Sequence, residues 1–233
     1  LPPSDPFIDP VLSFADATRR LLWAIEETWC RGGDGESSGT APPERRLLAQ
    51  FHEWMGGLAI PMIRHDEAAK AALALARAPI AITFTRHATQ RGRAIAYNDE
   101  RMYEHMASFD HAVEAARYDL VAKHSIERAC AFGADCFTTV APITAEECTA
   151  LLGRSPDVIT PNGLDIERYD VGHDFQTLHA QHKERIHRFV MGHFFPSYSF
   201  DLDRTLYLFT SGRYEPRNKG FDLCIAAMAR LND

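Results

Sequence analysis

Five short apolar runs, most followed by a polar loop and then a stretch of helical spacing, limit what this chain can fold into. They cover residues 47–51, 80–84, 136–140, 158–160 and 206–209. Runs of this length read as strands, and their alternation with helices predicts a parallel, doubly wound α/β sheet of Rossmann-like type. The helical pattern is read over 11–25, ending near Cys30, from about Gly56-Gly57, over about 100–132, over 178–191 and from Phe221. Met106, Phe109, Val113, Tyr118 and Val121 are placed on the inner face of the long central helix. Thr144 and Glu147 read as a capping box opening another helix. Residues 31–39, rich in glycine and serine and closed by Pro42-Pro43, read as a solvated surface loop.

In a sheet of this kind, ligands bind at the loops following the carboxyl ends of the strands. Four polar clusters fall on such loops. Ser211 to Gly220 holds Arg213, Arg217 and Lys219 with two glycines, between an expected strand and a helix start. Backbone N–H groups and the helix dipole favour a phosphate there, Arg213 offers a planar fork and Lys219 a compact charge. A solvated basic turn fits the composition equally well. The loop Thr85 to Arg93 carries His87, placed for contact with a sugar, and Arg93 beside a glycine, placed for an anion; a structural role for the histidine remains open. Phe51-His52-Glu53-Trp54 joins two ionisable groups to an aromatic ring, which suits a carbohydrate, although His52 and Glu53 serve equally as a helix cap. Asn162, in Thr160-Pro161-Asn162-Gly163, either bonds a sugar hydroxyl or shapes the turn.

Composition narrows the function classes. A formal net charge of -7 gives no basis for a general nucleic-acid or anionic-membrane surface. No apolar run approaches the roughly 20 residues that span a bilayer. Leu1-Pro2-Pro3-Ser4-Asp5-Pro6 has no signal-peptide pattern and reads as a chain cut from something longer. The five cysteines include no CxxC pair, so no disulfide framework or zinc site is expected, and a reducing cytoplasm is the simplest setting. No GxGxxG follows a strand and no Walker motif is present, which takes weight from dinucleotide oxidoreductases and P-loop kinases.

From about Phe51 to the end, the residues resemble the animal and fungal glycogen synthase family. The likeness begins at Phe51-His52-Glu53-Trp54 and is dense over Phe84 to Arg93, where the family pattern is F-T-T-H-A-T-x-x-G-R. It continues through Ile126-Glu127-Arg128-Ala129, Phe137-Thr138-Thr139-Val140, Pro161-Asn162-Gly163-Leu164, Phe175-Gln176, Leu178-His179-Ala180 and Gly192-His193-Phe194. Gly212-Arg213-Tyr214-Glu215 and Asn218-Lys219-Gly220 close it.

The resemblance implies a GT-B architecture, two Rossmann-like domains facing across a cleft and incomplete here at both ends. Residues 1–203 would belong to the acceptor-side domain and 204–233 would begin the nucleotide-sugar-binding domain. The implied reaction moves glucose from UDP-glucose to the non-reducing end of an α-1,4-glucan, retaining the anomeric configuration, with no metal and no cofactor. His87 matches a histidine near the reacting carbon; Arg93, Arg213 and Lys219 match cations on the donor diphosphate; Asn162 matches a donor-sugar contact; His52 and Glu53 line the cleft. A homo-oligomer is expected of the full protein, and little activity of this chain alone, because the family's glycine-rich loop should precede Leu1 and its catalytic-side carboxylate should follow Asp233. Arg86 and Arg91 depart from the pattern, standing where a small and an apolar residue are expected. Another GT-B transferase or phosphorylase, and a non-catalytic glucan- or nucleotide-binding protein, are the alternatives.

Overall fold

The computed structural model of the chain describes residues 6–30, 46–67, 71, 80–170, 172–199 and 201–232. Residues 31–45, including the expected glycine-serine loop, lie outside the described residues. The chain divides into two compact units, Leu1–Pro161 and Asn162–Asp233.

The first unit is built on four parallel strands in the order β1 (Leu48–His52), β2 (Ala81–Arg86), β3 (Cys136–Thr139) and β4 (Val158–Ile159). The alternation read from the sequence therefore yields a parallel sheet. Register places His52 beside Thr85, Arg86 beside Thr139 and Thr139 beside Ile159, so the polar residues gather at one end of the sheet. Parallel strands are covered on both faces, and Ile82, Phe84 and Phe137 are fully buried. The rings of Phe84 and Phe137 stack with centroids 5.8 Å apart.

Helices α1 (Ile8–Ile25), α2 (Glu53–Gly57) and α3 (Ala59–Arg64) contribute Ala15, Trp54 and Ile60 to the main core. Helix α1 continues into a π-helical turn, Glu26–Cys30. Helix α2 starts at Glu53, directly from the strand and earlier than the Gly56-Gly57 expectation. Helix α4 (Gln90–Asn98) is capped by Thr89, whose side chain accepts the Gly92 N–H.

The expected long helix over 100–132 is instead broken into α5 (Met102–His105), a 3-10 turn Met106–Ser108, α6 (His111–Arg117) and α7 (Val121–Gly133). Asp110 accepts the Val113 N–H near the start of α6, and Asp119 takes a left-handed φ of 53° between α6 and α7. Short acidic residues stabilise such breaks by bonding local backbone. As a result Val113 and Val121 are exposed, contrary to their expected inner placement, while Met106 is buried.

Helix α8 (Pro142–Leu152) starts at a proline, with Ala141 as N-cap. Proline at the first helical position is already set for the helix, so Thr144 lies inside it and the expected capping box does not form. Gly153 closes α8 at φ 74°.

The second unit holds α9 (Phe175–Phe194) and α10 (Phe221–Asn232). The strand expected over 206–209 is not one: a strand needs a partner, and among the described residues none pairs with it. Leu206 and Phe209 stand 87% and 93% exposed.

Candidate functional site

In the first unit, the carboxyl ends of β1 and β2 bring His52, Glu53 and His87 together. Glu53 leaves β1 at φ 60°, a region that non-glycine residues seldom adopt. Its carboxylate crosses to the neighbouring strand end, where Oε1 accepts the His87 N–H at 3.0 Å and Oε2 pairs with Arg86 Nη1. His52 Nδ1 then lies 3.3 Å from His87 Nε2, with the rings inclined at 28°. His52 is exposed and His87 half-buried, so the pair faces solvent over a buried ionic floor.

That floor is laid by carboxylates. Arg86 and Glu127 are both 0% exposed and form an ion pair, and Arg86 Nη2 also donates to the Ala88 carbonyl. Glu127 Oε1 accepts the Gln90 N–H at 3.0 Å. Glu147 Oε1 accepts both the N–H and the hydroxyl of Thr89 at 2.6 Å, and the Tyr103 hydroxyl reaches Oε2 at 3.3 Å. The amides of His87, Thr89 and Gln90 are thus held by Glu53, Glu147 and Glu127. These N–H groups, which in many nucleotide folds face a phosphate, here face protein carboxylates.

Burial pushes the Glu127 carboxyl up to about 7; Arg86 and the Gln90 N–H pull it down, and Glu53 and Glu147 add to the rise. Burial also raises the Tyr103 hydroxyl, helped by Glu147. It lowers the Arg91 guanidinium, against the pull of Glu127, Glu114 and Asp110. Arg91 is directed away from the histidine pair: Nη2 donates to the Leu151 carbonyl in the last turn of α8, and Nη1 lies 3.5 Å from His124 Nε2. Cys130 and Cys148 are pushed up to about 12 by burial, which removes both as nucleophiles at neutral pH. Among the described residues no group of three or more His, Cys, Asp or Glu has the arrangement of a metal site. No helix among them is long and apolar enough to cross a membrane.

Arg93 lies on α4, half-buried, four residues beyond the Thr89 cap, and its amide donates to the Thr89 carbonyl at 3.1 Å. The remaining expected residues belong to the second unit. Asn162 is exposed in irregular chain. In the loop before α10, Lys219 N–H donates to the Glu215 carbonyl at 2.9 Å and the Lys219 stem packs over Gly212, next to Arg213. Arg213 Nε pairs with Glu215 at 3.2 Å and is otherwise largely exposed. The two cations therefore share one loop, as the sequence suggests.

Sequence reasoning assigned no role to Arg86 or Glu127 and misassigned Glu147. A usable signal lay in α7: His124, Glu127 and Ala131 recur on one buried face, so a carboxylate stood in an otherwise inward position.

The family model for glycogen synthase matches residues 34–233. The chain is 42% identical over 188 residues to a glycogen [starch] synthase of Neurospora crassa, covering 81% of this chain and 25% of that protein. It is 45% identical over 190 residues to glycogen [starch] synthase isoform 2 of Saccharomyces cerevisiae, covering 81% and 26%. The liver glycogen [starch] synthase of Homo sapiens is 41% identical over 186 residues, covering 80% and 25%. The chain spans about a quarter of the length of these relatives.

Proposed function

Because the chain belongs to the glycogen synthase family, we propose that it forms part of a retaining glucosyltransferase that extends α-1,4-glucans from UDP-glucose. The proposed frame is GT-B, with residues 1–203 on the acceptor side and 204–233 opening the nucleotide-sugar domain. The observation that supports this best is the paired imidazoles of His52 and His87, 3.3 Å apart at adjacent strand ends.

In this reading His87 lies against the reacting sugar carbon and, with His52 and Glu53 beside it, orients the glucose as positive charge builds on its ring. Leaving UDP develops negative charge on its diphosphate. Arg213 and Lys219 from one loop and Arg93 from α4 stabilise that charge by position, as fixed donors do wherever charge develops in a transition state. Asn162 contacts the donor glucose. Neither a metal nor a cofactor is required by these roles. The same reading carries a cytoplasmic setting, supported by five free cysteines, a homo-oligomeric full protein, and little transfer by this chain alone.

The test is radiolabelled glucose transfer from UDP-glucose to glycogen by the full-length protein and its Arg213→Ala and Lys219→Ala variants. Loss of one such donor is expected to lower kcat by about 100-fold or more, with thermal unfolding little changed because both side chains lie on an exposed loop. Near-normal turnover in both variants would sink the proposed diphosphate grip.

A further inference from the structure

We propose that Arg86 is the positioning residue of the histidine pair: held between Glu53 and Glu127, it fixes the carboxylate that anchors the His87 amide and so sets how the two imidazoles meet. Its catalytic meaning rests on the glucosyltransferase reading; its geometry does not.

A buried guanidinium is costly unless its donors are met by acceptors, and carboxylates meet them best. Arg86 has two, one from each side of the β2 end: Glu53 from the β1–α2 junction and Glu127 from α7. Its Nε finds no partner, so the head is placed for these carboxylates at the expense of its own full complement. Glu53 in turn occupies a left-handed backbone conformation that costs a non-glycine residue free energy. The two bonds from its carboxylate, to Arg86 and to the His87 N–H, oppose that cost. Without the cation, the Glu53 carboxylate loses its Nη1 donor and Glu127 its Nη2 donor. Glu53 is the partly exposed member, at 24% of its side chain against 0% for Glu127, so it is the one free to swing outward. Its departure releases the His87 amide and with it the contact to His52.

Arg91 provides the comparison. It is equally buried and five residues along the same segment, but it bonds the Leu151 carbonyl and faces His124. A general loss of packing would follow from removing either arginine; displacement of the histidine pair should follow only from Arg86.

The experiment uses protein labelled with 15N in its histidines. In Arg86→Met, His87 amide exchange should rise by about tenfold or more, the loss expected for a hydrogen bond to a charged group, and the imidazole signals of His52 and His87 should move. Arg86→Lys should restore part of the wild-type pattern, since an ammonium reaches one carboxylate but cannot fork across two. Arg91→Met should leave these signals in place while lowering the melting temperature. Wild-type histidine signals in folded Arg86→Met, or equal movement in Arg91→Met, would overturn the assignment. Should Arg86→Met not fold, Glu53→Gln decides: it keeps an acceptor for the His87 amide and loses the charge Arg86 grips, so unmoved signals overturn the assignment. Transfer is read separately in the full-length protein, where Arg86→Met should lower kcat with KM near wild type. A wild-type protein without turnover counts against the glucosyltransferase reading, while the histidine signals still decide on Arg86.

Discussion

At the scale of single residues, Glu127 carries the largest consequence for pH. Its ordinary value of 4.5 rises to about 7 in the fold because burial penalises the carboxylate more than Arg86 and the Gln90 N–H favour it. A folded-state value above the unfolded one means that the native protein holds the proton more tightly. The corresponding stabilisation is complete below pH 4.5 and is lost as pH rises through 7, and the gap between the two values amounts to roughly 3 kcal/mol. Glu127→Gln has no proton to lose. The stability difference, wild type minus variant, should therefore fall between pH 4.5 and 7 and level off above, as read from urea melts at each pH. Contributions common to both proteins cancel in that difference, and a flat profile would refute the account. Here the limit of sequence reading is also visible. His52, Glu53 and His87 were legible because a polar residue just past an apolar strand has one natural direction, toward the loop end of the sheet. Arg86 and Glu127 were not, since each makes sense only as half of an ion pair joining β2 to α7, forty-one positions apart. Glu147 was read as a local cap because its true partner, Thr89, lies 58 positions away in sequence.

At the scale of elements, α2 approaches the sheet closely at Gly57. A Cβ on Gly57 would stand 2.6 Å from the Phe84 ring and 3.0 Å from Cys130 Sγ. Phe84 cannot yield easily, being fully buried and stacked on Phe137. Overpacking at such a site costs about 1–3 kcal/mol, so Gly57→Ala should lower the melting temperature by roughly 3–10 °C. Its neighbour provides the contrast: a Cβ on Gly56 meets nothing within 4 Å. Gly56→Ala should be neutral or stabilising through helix propensity, by at most about 1 kcal/mol. Equal effects in calorimetry would show that α2 does not press on the sheet. The same closeness explains which elements could be read. Strands β1 to β3 announce themselves because each carries apolar residues that the core requires, Ala49 and Phe51 on the buried face of β1, Ile82 and Phe84 in β2 and Phe137 in β3. The break of the 100–132 segment was hidden because Asp110 and Asp119 act through local side-chain and backbone geometry, which leaves the apolar spacing intact on either side.

At the scale of the whole molecule, the two units differ in how much they bury. The first has a main core drawn from α1 to α3, the sheet, α7 and α8, and a smaller cluster of Ile95, Met102, Met106 and Leu151. Among the described residues of the second, Val190 at 6% is the one buried apolar side chain, while Leu206, Phe209, Leu223, Ile225 and Leu231 are exposed. Backbone hydrogen bonds alone contribute little net stability, because water competes for them in the unfolded chain. Helices α9 and α10 therefore rest on few apolar contacts, and local opening should cost them little. Native-state hydrogen exchange of the chain should show amides of α9 and α10 exchanging at least about tenfold faster than those of β2, β3 and α7. A hydrophobic dye should also bind measurably without denaturant, given so much exposed apolar surface. Equal protection across 1–161 and 162–233 would mean that the second unit draws stability from contacts other than a core of its own. It would also mean that the exposed apolar side chains of 206–209 and α10 are covered in solution. The expectation of a strand over 206–209 belongs to this scale as well: its apolar composition was legible, but pairing is a property of the surrounding sheet, which no local run of residues encodes.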